Sequence, residues 1–194
     1  MKAFLKNKIL IICFLIFGIQ TAFSQTFELA PKNSEMIVKG SSSLHDWEMK
    51  VGQMNGTVQL EIRENEILAI EELSFSVLAN SLDGGKEGMN KDAYEALRAD
   101  TYRTIDFEFE NLNSATCTSG VCELQLQGFL TVAGTRQSVT VSLNALLSKE
   151  KITLSGKKSL KMTDFKVEPP RAFLGLIRAY DDVSVNFELV FSRK

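Results

Sequence analysis

Beyond residue 25 the chain is dominated by apolar and polar positions that alternate with a period of two. Over residues 123–132, Leu124, Leu126, Leu130 and Val132 share a face with Gly128, while Glu123, Gln125, Gln127 and Thr131 take the other with Phe129. Over 138–147, Val139, Val141, Leu143, Ala145 and Leu147 oppose Ser138, Thr140, Ser142 and Asn144. Phe107 and Phe109 oppose Asp106, Glu108 and Glu110, and over 183–191 Val183, Val185, Phe187, Leu189 and Phe191 oppose Ser184, Asn186 and Glu188. Side chains alternate faces along a strand, so each stretch has one dry and one wet side. That is the pattern of antiparallel sheets packed on one face. Less regular strands are predicted over 36–42, 46–51, 56–62, 67–78 and 152–162.

Turn signals separate these stretches: Asn55-Gly56, Glu64-Asn65, Asp83-Gly84-Gly85, Ala133-Gly134 and Ser155-Gly156, the last as a turn or a bulge inside a strand. One helix interrupts them. Asn90 is placed to cap it, Asp92 and Glu95 suit its positive end, and Ala93 and Leu97 lie one turn apart, with an end near Ala99. Pro169-Pro170 breaks the chain, and the apolar stretch 171–177 reads as a loop or short helix over one end of the fold. Many short strands with one helical insertion predict an all-β closed antiparallel barrel or a sandwich. Closure leaves no unpaired sheet edge.

The first segment falls outside this pattern. Lys2, Lys6 and Lys8 precede a short apolar run over 9–18, and Ala22-Phe23-Ser24 places small residues where a signal peptidase cuts. Residues 1–24 therefore read as an export signal and 25–194 as one domain. The run falls short of the roughly 20 apolar residues a spanning helix needs, so stable membrane insertion is not expected. With 22 Lys and Arg against 24 Asp and Glu and no basic block, a nucleic-acid role is not expected either. Cys117 and Cys122 flank a short turn, and in an exported chain they favour a local disulfide. Beyond residue 24, two cysteines, one histidine and unspaced carboxylates make a poor metal set.

Several segments, taken in order, resemble one known family. Gly128-Phe129-Leu130-Thr131-Val132-Ala133-Gly134-Thr135-Arg136 is similar to a hairpin of YceI-like proteins. Met89-Asn90-Lys91, Tyr102 through Phe107, Met162-Thr163-Asp164-Phe165 and the closing stretch from Asp182 also resemble that family, with Arg103 where it usually has proline. The resemblance implies an antiparallel eight-stranded, lipocalin-like barrel of an exported, periplasmic protein. It further implies an apolar cavity holding the tail of an isoprenoid-type lipid, of quinone or polyprenyl kind, as bound ligand and not as a cofactor. A barrel of that size is just wide enough for side chains or one small ligand.

The candidate lining residues are those of the dry faces: Phe107, Phe109, Leu124, Leu126, Val139, Val141, Leu143, Phe187 and Leu189. Phe165, Phe173 and Leu176 are candidates for closing a mouth. For any single one of them core is the first reading and ligand contact the second, because pockets are built from core-like residues. His45, the lone histidine, is a candidate headgroup contact, and by alternation Trp47 shares its face. Ser42, His45 and Asp46 point to opposite faces of a strand and cannot form a triad, and no Gly-x-Ser-x-Gly elbow exists. No catalytic site is expected. Three functions compete: a carrier or sequestering protein for such a lipid, an exported lipid-modifying enzyme using His45, and an interaction protein with a filled barrel. Homodimerisation stays open.

Overall fold

The computed structural model describes residues 24–64, 66–172 and 175–194. Twelve strands and one α-helix are present among them. The strands are β1 (Ser24–Leu29), β2 (Glu35–Ser42), β3 (Asp46–Val51), β4 (Met54–Arg63), β5 (Glu66–Leu78) and β6 (Leu82–Asp83). After the helix α1 (Glu87–Leu97) come β7 (Thr104–Thr118), β8 (Val121–Val132), β9 (Thr135–Leu147), β10 (Lys151–Lys161), β11 (Arg171–Ala172) and β12 (Ile177–Arg193).

All pairings are antiparallel, and eight strands return on themselves in the order β1-β4-β5-β7-β8-β9-β10-β12. The ring closes where Phe27 meets Arg193 and Leu29 meets Phe191. This settles barrel against sandwich. β12 is long enough to serve two neighbours. Its C-terminal end pairs with β1, while Ala179 through Glu188 pair with β2. β2, β3 and β6 thereby extend the wall beyond the closed ring. The break between β1 and β2 is a single 3-10 turn (Pro31–Asn33), whose proline needs no amide partner at that position.

The two ends of the barrel are filled differently. Near β1, the interior is solid: Phe27, Val58, Leu60, Cys122, Leu126, Ala145, Ile152 and Phe191 are essentially fully buried. At the other end α1 lies across the opening. Tyr94 donates its hydroxyl to the carbonyl of Leu82 at 2.7 Å, and Arg98 donates to the carbonyl of Ala133 in the β8–β9 turn at 2.5 Å. Arg98 ends the helix in the left-handed region at φ 52° and lies over the Tyr102 ring, which in turn covers Gly134.

Four local expectations change. Asn55-Gly56 is no turn: Gly56 lies within β4 opposite Phe75, and the chain bends instead at Gly52, whose amide bonds Ser81. Ser155-Gly156 neither turns nor bulges, since β10 pairs continuously with β12 from Lys151 to Lys161. The helix begins at Glu87, so Asn90 sits within it; its side chain accepts from the Gly84 amide and donates to Asp83. Of the stretch after Pro170, Arg171 and Ala172 form a short strand, with Arg171 opposite Arg178 and Ala172 opposite Ile177. The cysteines form the expected disulfide, bridging residues directly opposite across the Ser119-Gly120 turn.

Candidate functional site

The hollow end of the barrel is a cavity of about 820 Å³. This is within the roughly 300–1,000 Å³ typical of small-molecule sites. Its floor is Leu73, Leu126, Leu143, Leu154 and Phe191, which separate it from the solid half. Its walls come from the inward faces of β2, β3, β7, β9, β10 and β12, and its cover is the Met89, Ala93 and Leu97 side of α1.

Glycines opposite aromatics shape the walls. Phe187 on β12 faces Gly156 on β10, and Trp47 on β3 faces Gly40 on β2. In both pairs atoms of the ring occupy the space a Cβ on the glycine would need. Phe107 covers Gly128 in the same way. An aromatic on a glycine holds an apolar sheet face without projecting far into the interior, so the barrel keeps its lumen. Trp47 is fixed further by its Nε1–H, which donates to the carbonyl of Ser41 at 3.1 Å.

Most of the residues expected at the site meet there. Phe107, Leu126, Val139, Val141, Leu143, Phe165, Phe187, Leu189 and His45 all line the cavity. Phe165 is buried at the end of the 3-10 turn Met162–Phe165, packed with Ala133, Val139 and Val167. Three others do not line it. Leu124 is one step deeper than Leu126 and is buried in the solid half, and Phe109 packs on the core beside it. Leu176 points away and is 83% exposed. Phe173 lies outside the described residues.

His45 stands at the rim in the β2–β3 turn. Its Nδ1–H donates to the carbonyl of Asp46 at 2.6 Å, and the Ser42 hydroxyl donates to the carbonyl of His45, not to its ring. Ser42 therefore staples the turn and is not poised as a nucleophile. Among the described residues no group of three or more His, Cys, Asp or Glu could hold a metal ion, and no helix is long and apolar enough to cross a membrane.

Sequence reasoning missed two parts of the site. The β2 wall, with Met36 and Val38, is interrupted by Gly40 and Ser42 and gives a weak alternation. Lys158 also lines the cavity, from the inward face of β10 between Gly156 and Leu160. Period two places it there in the sequence, but Ser155-Gly156 obscured the register.

The rim carries the charges. Lys161 bonds Asp182 at 2.8 Å, which raises the lysine's pKa. Asp181 accepts from the Thr163 amide and hydroxyl at 2.9 and 2.7 Å, and these bonds hold its carboxyl below the usual carboxylate range. Together they tie the 3-10 turn carrying Phe165 to β12.

Comparison with known proteins agrees with this geometry. BcnA of Burkholderia cenocepacia superposes with a TM-score of 0.68 at 17% identity, covering 84% of this chain and 98% of that one. A domain from Saccharophagus degradans, described as polyisoprenoid-binding and implicated in plant cell wall breakdown, gives 0.66 at 16% identity, covering 88% and 99%. The YceI protein of Campylobacter jejuni gives 0.52 at 16% identity, covering 74% and 85%. At such identities the likeness is one of fold. No curated protein matches by sequence. The profile of the YceI-like domain matches residues 27–191, and on that match over nearly the whole described barrel the chain belongs to the YceI-like family.

Proposed function

We propose that this protein binds an amphiphile with an isoprenoid-type tail, holding the tail in the barrel and carrying or sequestering it away from water. The observation that supports this most is an apolar cavity of about 820 Å³ in a barrel whose other half is solid. A core that merely stabilised the fold would close such a space, because voids forfeit packing energy. Burying an apolar tail returns roughly 25 cal/mol per Å² before association costs are subtracted. Non-directional attraction of this kind needs no reactive group. The likeness to a polyisoprenoid-binding domain points the same way.

The basic, apolar, small-residue order of residues 1–24 supports export, and with it a site of action outside the cytoplasm. N-terminal sequencing of the protein secreted by its host should begin near Gln25; a retained Met1 would contradict export.

Trp47 is the chain's single tryptophan and lines the cavity. Delipidated protein titrated with geranylgeraniol should show a saturable change in Trp47 emission at near-equimolar lipid. An unchanged spectrum with no lipid retained after gel filtration would contradict the reading.

A further inference from the structure

Resting on that reading, we infer that the mouth of the barrel docks on an anionic lipid bilayer through two neighbouring hairpin tips, so that lipid passes between membrane and cavity without crossing water. The tips carry Leu44, between β2 and β3, and Leu176, between β11 and β12. They lie side by side: the Ser43 amide donates to the carbonyl of Arg178 at 2.9 Å, and the Arg178 amide donates to the Ser43 hydroxyl at 3.1 Å. Both border the mouth, since Ser42, His45, Ala172 and Ile177 line the cavity beside them.

The exposed apolar surface is gathered there. Among the described residues six large apolar side chains stand exposed, and three of them are Leu176 at 83%, Leu44 at 64% and Tyr180 at 51%. The others lie elsewhere: Val121 faces Leu146 next to the disulfide turn, and Leu68 is alone on β5. Clustered exposure of this kind marks an interaction surface. Leu44 is presented on a fixed turn, because the Ser42 hydroxyl accepts from its amide and from that of His45 at 3.2 Å. Ile177 and Ala179 line the cavity, so alternation puts Arg178 and Tyr180 together on the outer side of β12. Tyrosine suits the headgroup level of a bilayer.

The charges select the occupant. Over 41–47 and 170–180 the charged residues are Arg171 and Arg178 against Asp46, with His45 beside it. The two arginines are exposed and stand directly opposite each other, with no carboxylate within 4.0 Å among the described residues. Farther along the rim, Asp181 and Asp182 are already engaged by Thr163 and Lys161. Like charges across a ladder cost stability, and lipid phosphates would relieve them. A second copy docked face to face would instead bring four arginines together.

The test is flotation of the full mature chain with vesicles of phosphatidylcholine, and of equal parts phosphatidylcholine and phosphatidylglycerol. Binding to the mixed vesicles should be at least tenfold stronger, and the difference should shrink with added salt. The double variant Leu44→Ser/Leu176→Ser should lose about tenfold on the mixed vesicles. Its melting temperature and its uptake of geranylgeraniol from solution should not change, because both side chains are exposed and neither lines the cavity. Arg178→Glu should abolish the preference for anionic vesicles while pairing with Arg171 in the folded hairpin. Absence of vesicle binding, equal binding to both compositions, or an equal loss in Leu68→Ser would overturn the inference. So would a dimer, bound to no vesicle, that the double leucine variant splits. In each of these cases continued uptake of geranylgeraniol would leave the lipid-binding function standing. A chain that binds vesicles yet takes up no geranylgeraniol would overturn that function and the exchange role with it.

Discussion

The ring of Phe187 rests on Gly156, its direct partner across the β10–β12 ladder, and a Cβ on Gly156 would come within 2.8 Å of the ring's Cζ. The same Cβ would lie 3.0 Å from the carbonyl oxygen of Ser142, a backbone atom that cannot yield. Gly156→Ala should therefore drive Phe187 into the lumen and strain β9 against β10. We expect a loss of about 1–3 kcal/mol in denaturant unfolding, the usual cost of overpacking, and weaker lipid uptake.

The contrast between the two halves of the barrel is testable with one type of substitution. Val141 faces the cavity, whereas Val58 is 1% exposed in the solid half. Val141→Phe should leave stability nearly unchanged and reduce lipid capacity, because the added ring enters empty space. Val58→Phe should cost about 1–3 kcal/mol, because nothing there can make room. Similar stability losses in both variants would mean that the lumen is not open.

Arg98 carries two burdens, a left-handed helix end and the anchor to Ala133. Arg98→Ala should lose the anchor while keeping the backbone strain; Arg98→Gly should lose the anchor and relieve the strain. Glycine is expected to be the more stable of the two by roughly 1 kcal/mol. In both, the amides of α1 should exchange faster than those of β8 and β9, and lipid should enter and leave faster.

Asp181 sets an acid limit on the mouth. Its carboxyl titrates below its ordinary value in the folded state because Thr163 donates to the ionised form. A lowered folded pKa contributes stability above the unfolded value, and that contribution is lost as pH falls through the folded one, below about pH 4. Thermal unfolding of Asp181→Asn should depend less on pH between 5 and 3 than that of the native chain.

The disulfide lies at the β7–β8 turn, where Cys117 already faces Cys122 in a paired ladder. A loop this short removes little chain entropy. Replacing Cys117 with serine and the fully buried Cys122 with alanine should lower the melting temperature by only a few degrees and leave lipid binding as it was.

The barrel is largely legible in the sequence because β8, β9 and the end of β12 keep strict alternation, and one-sided burial requires it. Legibility fails where glycine stands in a strand. Gly56 reads as a turn and Gly156 as a turn or a bulge, yet each is a seat for the aromatic opposite, a relationship only cross-strand register reveals. Depth along the barrel is hidden too: Leu124 and Leu126 share a face and a pattern, but only Leu126 reaches the lumen. Period two records which way a side chain points. It carries no record of where along the axis packing stops, which here depends on β12 switching partners from β1 to β2.

The central claim is that the open half of the barrel is occupied by a lipid tail when the protein is at work. Native mass spectrometry of protein purified gently from its own host, followed by solvent extraction, addresses it most directly. The account predicts an added mass bound near one per chain, released by organic solvent as a molecule with a long apolar tail. Protein of bare polypeptide mass, which also stays bare after incubation with polyprenyl lipids, would contradict it.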